Sequence, residues 1–182
     1  MSKTIGVVVG SLRKDSFTKQ IAEELKKLAP SSLLLESVEI GDLEMFNQDF
    51  EDQGNTPESW QTFRDDLKRY DGFLFLTPEY NRSYPAVIKN ALDVGSRPYG
   101  QNMWDGKPAA IVSVSPGALA AFGANHHLRQ VLVFLNIPVM PAPEVYLGNV
   151  MDLFDDKGQL VEDTKGFLES FMKSFKEWIN RF

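Results

Sequence analysis

Apolar residues along this chain fall into short unbroken runs, separated by stretches in which they recur every three or four positions. The run TIGVVVG, Thr4 to Gly10, is rich in β-branched residues and continuous rather than alternating, which suits a strand covered on both faces in a parallel sheet. Phe17, Ile21, Leu25 and Leu28 then recur at helical spacing with charges between them, and Pro30 stands just past the end. LLLESVEI predicts a second strand, and an acidic connection holding Gly41, Gly54 and Pro57 leads to a helix through Trp60, Phe63 and Leu67. The connection from Gly41 to Asn55 is long enough to line a site or an interface. GFLFLT predicts the third strand, followed by a polar turn and a helix from about Tyr84 to Val94. PAAIVSVS predicts the fourth strand, ALAAFGANHHLRQVLVFLN an apolar helix and IPVMP a short fifth strand. Phe167, Phe171, Phe175 and Trp178 space a closing amphipathic helix within TKGFLESFMKSFKEWINRF, an aromatic stripe of the kind that packs into a core.

Strands alternating with helices predict an α/β three-layer sandwich, because parallel strands need helical crossovers. The count fits a flavodoxin-like five-stranded parallel sheet in the order 2-1-3-4-5, with helices on both faces. In such a sheet ligands bind beyond the carboxyl ends of the strands, at the switch point between the first and third. With 182 residues, 43% of them hydrophobic, residues 1–182 are expected to form a single domain with a substantial core. The absence of cysteine excludes disulfides, thiolate metal sites and cysteine nucleophiles, and points to a reducing compartment, the cytoplasm. The start, MSKTIGVVVGS, has too short an apolar run for a signal-peptide core or a membrane span, so no membrane association is expected. A net charge of −6 with no compensating basic run argues against nucleic acid.

Three loops follow the strands of interest. GSLRKDSFTK, after the first strand, offers the hydroxyls of Ser11, Ser16 and Thr18, the charges of Arg13 and Lys14, and the unpaired amides of a helix start, a donor set suited to a phosphate. The plainer alternative is that Ser16 only caps the helix and Arg13 is solvated. Neither a dinucleotide-binding glycine fingerprint nor a P-loop is present, so a monophosphate fits better. The second loop, TPEYNRSYP, is stiffened by Pro78 and Pro85 and places Glu79, Tyr80, Asn81 and Arg82 where they must meet water or a ligand. It reads equally as a polar shelf for a planar heterocycle or as a proline-bracketed helix start. The third, SVSPGALAAFGAN, combines Gly117 with small side chains that let backbone approach a ligand, or simply let a helix pack on the sheet.

Together these loops resemble the NADPH-dependent FMN reductase family, and the resemblance spans nearly the whole chain. GSLRKDS is similar to the family's phosphate loop G-S-x-R-x-x-S, and PEYNRSYPAVIKNALD matches its signature P-E-Y-N-x-S-x-P-x-x-[LI]-K-N-x-[LIV]-D. The third loop departs from the pattern S-x-G-x-x-G-G: SPGALAAFG keeps Gly117 and lacks the double glycine. The resemblance implies that Ser11, Arg13, Ser16, Phe17 and Thr18 hold the phosphate and ribityl chain of FMN. It implies that Pro78, Glu79, Tyr80 and Asn81 line the isoalloxazine, and that Ser115 and Gly117 close the other side. It further implies a homodimer or homotetramer with the flavin near the interface, where Arg82 and Tyr84 serve the substrate or the partner subunit.

The activity implied is hydride transfer from NADPH or NADH through FMN to a quinone, azo compound or other small acceptor, by a ping-pong mechanism. The hard chemistry belongs to the cofactor, so no protein acid, base or metal is assigned a catalytic role. His126 and His127 are adjacent on a helix, point about 100° apart and make a poor chelate, better placed in solvent or at an interface. Ser115 lacks the flanking glycines of a hydrolase nucleophile. A flavodoxin-type electron carrier shares fold and cofactor but usually has a phosphate loop like T-x-T-G-x-T, and a flavin-free interaction module is the remaining alternative.

Overall fold

In a computed structural model describing residues 2–182, the elements run β1 (Lys3–Val9), α1 (Phe17–Leu28), β2 (Leu33–Val38), α2 (Asp49–Asp52), α3 (Glu58–Leu67) and β3 (Gly72–Thr77). They continue with α4 (Ala86–Gly95), β4 (Ala109–Val114), α5 (Phe122–Phe134), β5 (Val145–Leu147), a 3₁₀ turn at Val150–Leu153 and α6 (Glu162–Ile179). All five strands pair in parallel in the order β2-β1-β3-β4-β5. Every residue of β3 and β4 is buried, which is why those runs are apolar without alternation. Ile5, Val7, Leu74 and Val112 pack on one face against α1 and α6 through Ile21, Leu25, Phe171 and Phe175. On the other face Val8, Phe73, Phe75 and Ile111 meet α3, α4 and α5 through Trp60, Phe63, Leu92 and Leu128.

Several element boundaries differ from the sequence expectation, each for a local reason. The fifth strand is not IPVMP. Val139 makes one parallel bridge to Ala109, with Ala109 N–H donating to Pro138 O and Met140 N–H to Ala109 O. Pro141 and Pro143 then bring no N–H, so the ladder breaks and resumes only where Val145 pairs with Val112. The fourth helix starts at Ala86 rather than Tyr84, because a residue before proline is pushed out of the helical region. The fifth starts at Phe122 rather than near Ala118, after two left-handed residues, and the last runs from Glu162 to Ile179. Phe171 and Phe175 are fully buried, whereas Phe167 is 41% exposed and stands outside the expected core stripe.

The long connection after β2 packs rather than floats. The buried Asn90 amide accepts from Phe46 N–H (2.7 Å) and donates to Leu43 O (3.2 Å) and Glu44 O (3.1 Å). The Trp60 indole donates to Glu44 O at 3.0 Å and stacks on Phe46. Arg64 pairs with Glu51 and donates to Val94 O, tying the connection to α3 and α4. The second half of the matched signature, IKNALD, therefore holds this segment in place.

Six described non-glycine residues have a positive φ, and three of them, Asn81, Asn136 and Asn149, are asparagines, which tolerate it. The others are Arg82 (70°), Ala120 (52°) and Ala121 (57°), each disfavoured by about 1–2 kcal/mol. All three lie on the loops that leave β3 and β4. Ala120 and Ala121 occupy the two positions where the related pattern carries glycine.

Two outcomes follow for stability. Asn90→Ala leaves Phe46 N–H and two carbonyls without their partner, and is expected to lower unfolding free energy by about 2–4 kcal/mol in urea titrations. Ala120→Gly and Ala121→Gly relieve the left-handed strain by more than glycine's added chain entropy costs. Each should raise the urea midpoint, by about 0.5–1 kcal/mol of stability. A lowered midpoint in both would contradict the strain.

Candidate functional site

At the carboxyl edge of the sheet, the loops after β1, β3 and β4 enclose a cleft of about 250 Å³. It is lined by Ser11, Arg13, Ser16, Phe17 and Thr18 from the first loop, by Pro78, Glu79 and Tyr80 from the second, and by Ser115 from the third. Nine of the eleven residues expected to bind the cofactor are thus brought together, and Asn81 and Gly117 are not among the lining residues. Val114 and Pro116 also line it, and the sequence reading missed both. No residue of the Gly41–Asn55 connection reaches the cleft wall.

The first two loops touch across a glycine. A Cβ on Gly10 would lie 2.6 Å from Ile88 Cδ1 on α4 and 3.1 Å from Pro78 Cδ, so the bare Cα eases the approach of the first loop to α4 and to the second loop. Ser16 caps α1, its Oγ accepting from Lys19 N–H at 3.3 Å. Ser11 and Thr18 are also buried, yet neither hydroxyl has a hydrogen-bond partner among the described residues. The one fully buried side-chain oxygen without a partner among the described residues is Ser32 Oγ, so the Ser11 and Thr18 oxygens still reach the cleft and are open to a ligand. Arg13 and Lys14 have no carboxylate partner among the described residues, in a chain whose net charge is negative. Two open hydroxyls, an unpaired guanidinium and the amide end of α1 form a donor set that fits a phosphate.

The second loop is a tight hairpin turn. Tyr80 N–H donates to Ser83 O (2.8 Å) and Ser83 N–H to Tyr80 O (3.1 Å), with Asn81 and Arg82 both left-handed between them, the signature of a type I′ turn. This presents the Tyr80 ring, 47% exposed, as one wall of the cleft. Asn81 supplies the turn rather than a wall. Glu79 lines the cleft but is largely committed elsewhere: its Oε2 accepts from Ala124 N–H at 3.1 Å, at the positive end of α5, and its Oε1 lies 3.4 Å from Arg82 Nη1. A Cβ on Gly123 would stand 3.0 Å from Arg82 O and 3.1 Å from Glu79 Oε2, so that glycine lets α5 approach the turn. Neither Glu79's partner nor Gly123's role had a local signal, because they lie more than forty residues apart in the chain.

The third loop is pinned at its start by Ser115 and at its far end by the Glu79 tie to Ala124. Ser115 N–H donates to Leu147 O, Val150 N–H donates to Ser115 O, and the Ser115 hydroxyl donates to Gly117 O at 2.9 Å. That hydroxyl also accepts from Gly117 N–H at 3.1 Å, so Ser115 shapes its own loop as well as lining the cleft. The crowded glycine here is Gly148, whose Cβ would meet Gly117 O at 3.0 Å and Ala118 O at 3.2 Å. Arg82 extends into solvent, and Tyr84 packs half-buried against the α4 side of the core, its phenol pushed up by burial first and by Asp93 second. Neither lines the cleft. The two histidines serve different partners: His126 Nε2 lies 3.1 Å from the Tyr146 hydroxyl, and His127 Nδ1 lies 3.1 Å from Ser83 Oγ.

A wider depression of about 640 Å³ lies between the end of β2 and α3, lined by Glu39, Asp42, Glu58 and Asp66 among others. Its one cation, Arg69, is paired with Glu36 and Asp66. Acidic and without a free cation, it suits no phosphate, and it shares no residue with the three loops.

The family model for NADPH-dependent FMN reductase matches residues 4–152. A quinone reductase from Pseudomonas putida is 56% identical over 176 residues, covering 97% of this chain and 94% of the relative. A 2-hydroxy-1,4-benzoquinone reductase from a Burkholderia species is 45% identical over 180 residues, covering 98% and 97%. Among solved structures, the flavoenzyme NAD(P)H:(acceptor) oxidoreductase FerB from Paracoccus denitrificans superposes with a TM-score of 0.91 at 41% identity, covering 98% of each chain. With the strand order, the first two loops and these matches in agreement, the chain belongs to the NADPH-dependent FMN reductase family.

Proposed function

We propose that this protein is a cytoplasmic FMN-dependent NAD(P)H oxidoreductase that reduces quinones and related small acceptors, built as a single FMN-binding domain and acting as a homodimer or homotetramer. The observation that carries the reading is the cleft itself, in which two partnerless hydroxyls and an unpaired arginine face a tyrosine wall across a gap at the switch point. Bound FMN supplies the hydride relay between the nicotinamide and the acceptor.

The protein's part is to bind and to orient. Ser11, Arg13 and Thr18 hold the phosphate, with Ser16 and Phe17 setting the helix start behind it. Pro78 and Tyr80 form one wall for the flavin ring, and Ser115 with Pro116 forms the other. Glu79 acts chiefly as a tie: by holding the head of α5, it fixes the separation of the second and third loops. Among the described residues no helix is long and apolar enough to cross a membrane. Association is supported by α5, which presents Phe122, Val133 and Phe134 to solvent, the last of them 87% exposed.

The purified protein should be yellow and should oxidise NAD(P)H with a quinone, giving parallel double-reciprocal lines. Colourless protein that takes up no added FMN would overturn the reading. Arg13→Ala should weaken FMN binding by about tenfold or more, as expected for losing a charge-assisted contact to phosphate. Fluorescence titration measures it, and an unchanged affinity would remove Arg13 from the phosphate site. Light scattering behind size exclusion should return the mass of two or four chains, and a single-chain mass would contradict the oligomer.

A further inference from the structure

A second cavity, of about 290 Å³, opens at the same edge of the sheet between α1 and the ends of β1 and β2. Ser11 is a wall common to this groove and the cofactor cleft, and exposed Leu12 stands at the groove's mouth. Its floor is apolar, formed by side chains such as Val9, Ala22 and Ile40, and its charged lining is Lys19, Glu39 and Glu23, the last of them paired with Lys26. Lys19 has no carboxylate partner among the described residues, its ammonium reaching only Leu12 O at 3.5 Å. Glu39, the residue directly after β2, is exposed and has no hydrogen-bond or ion-pair partner among the described residues.

The geometry points to this groove as the seat of the adenosine half of the nicotinamide dinucleotide, with Glu39 selecting NADH over NADPH. This rests on the oxidoreductase reading above. A dinucleotide is too long to lie wholly over a flavin in the neighbouring cleft, so its adenosine end must rest on adjoining surface. The groove adjoins the cleft through Ser11 and offers what that end needs. The apolar floor takes the purine face, Lys19 meets the pyrophosphate, and the Glu39 carboxylate accepts from the ribose hydroxyls. A 2′-phosphate would instead bring negative charge against Glu39, and among the described residues no unpaired cation other than Lys19 lines the groove to offset it.

The test uses the FMN-loaded enzyme and two substitutions on exposed or rim positions. Glu39→Gln should raise the ratio of kcat/KM for NADPH to that for NADH by about tenfold. Lys19→Ala should raise KM for both dinucleotides while leaving the flavin bound. Calorimetric titration with ADP, which carries no nicotinamide, should show weaker binding in Lys19→Ala than in the wild type. A dinucleotide ratio unmoved by Glu39→Gln, or an ADP affinity unmoved by Lys19→Ala, overturns the assignment. Failure of the wild type to oxidise either dinucleotide would strike the oxidoreductase reading instead, while the ADP titration still decides the groove.

Discussion

Parallel pairing of β1 with a neighbour on each side is the constraint from which the rest follows. β2 and β3 flank β1 in the same direction, so the chain leaves β1 and β3 at one edge and must place two polar loops side by side there. β4 adds a third beyond them. The ladder buries both faces and leaves that edge as the place where partnerless polar groups can gather at little cost to the core. The three-loop cleft and the neighbouring groove both open there.

Closing the three loops on one another requires ties that reach across the fold. Glu79 anchors the head of α5, Ser115 is stapled to the end of β5, and the segment between must turn sharply within a few residues. That accounts for the left-handed Ala120 and Ala121: with both ends fixed, the backbone has no room for the helix that alanine would otherwise favour. The strain is borne at the site, and the buried ladders on either side hold it.

Much of this was legible in the sequence, and the misses have physical causes. Unbroken apolar runs identified β1, β3 and β4 because strands buried on two faces leave no other pattern, and helical spacing found α1 and α6. The first loop and the PEYN half of the signature were readable because their chemistry is local, donors clustered within a few residues. IPVMP misled because its composition suits a strand while the neighbouring prolines remove the donors that would continue the ladder. Ala118 to Ala121 read as helix because propensity does not register distant anchors. The tie from Glu79 to α5 had no local signal because its partner, Ala124, is remote in sequence. Gly148 carried no signal at all, since the carbonyls it accommodates belong to another loop.

The central claim is that these three loops form a flavin seat, and a crystal structure of the protein grown with FMN tests it most directly. The account predicts phosphate density against Ser11, Arg13 and Thr18, with the ring between Tyr80 and the Ser115–Pro116 wall. A flavin seated in the acidic depression between β2 and α3, or phosphate density away from Arg13, would contradict it.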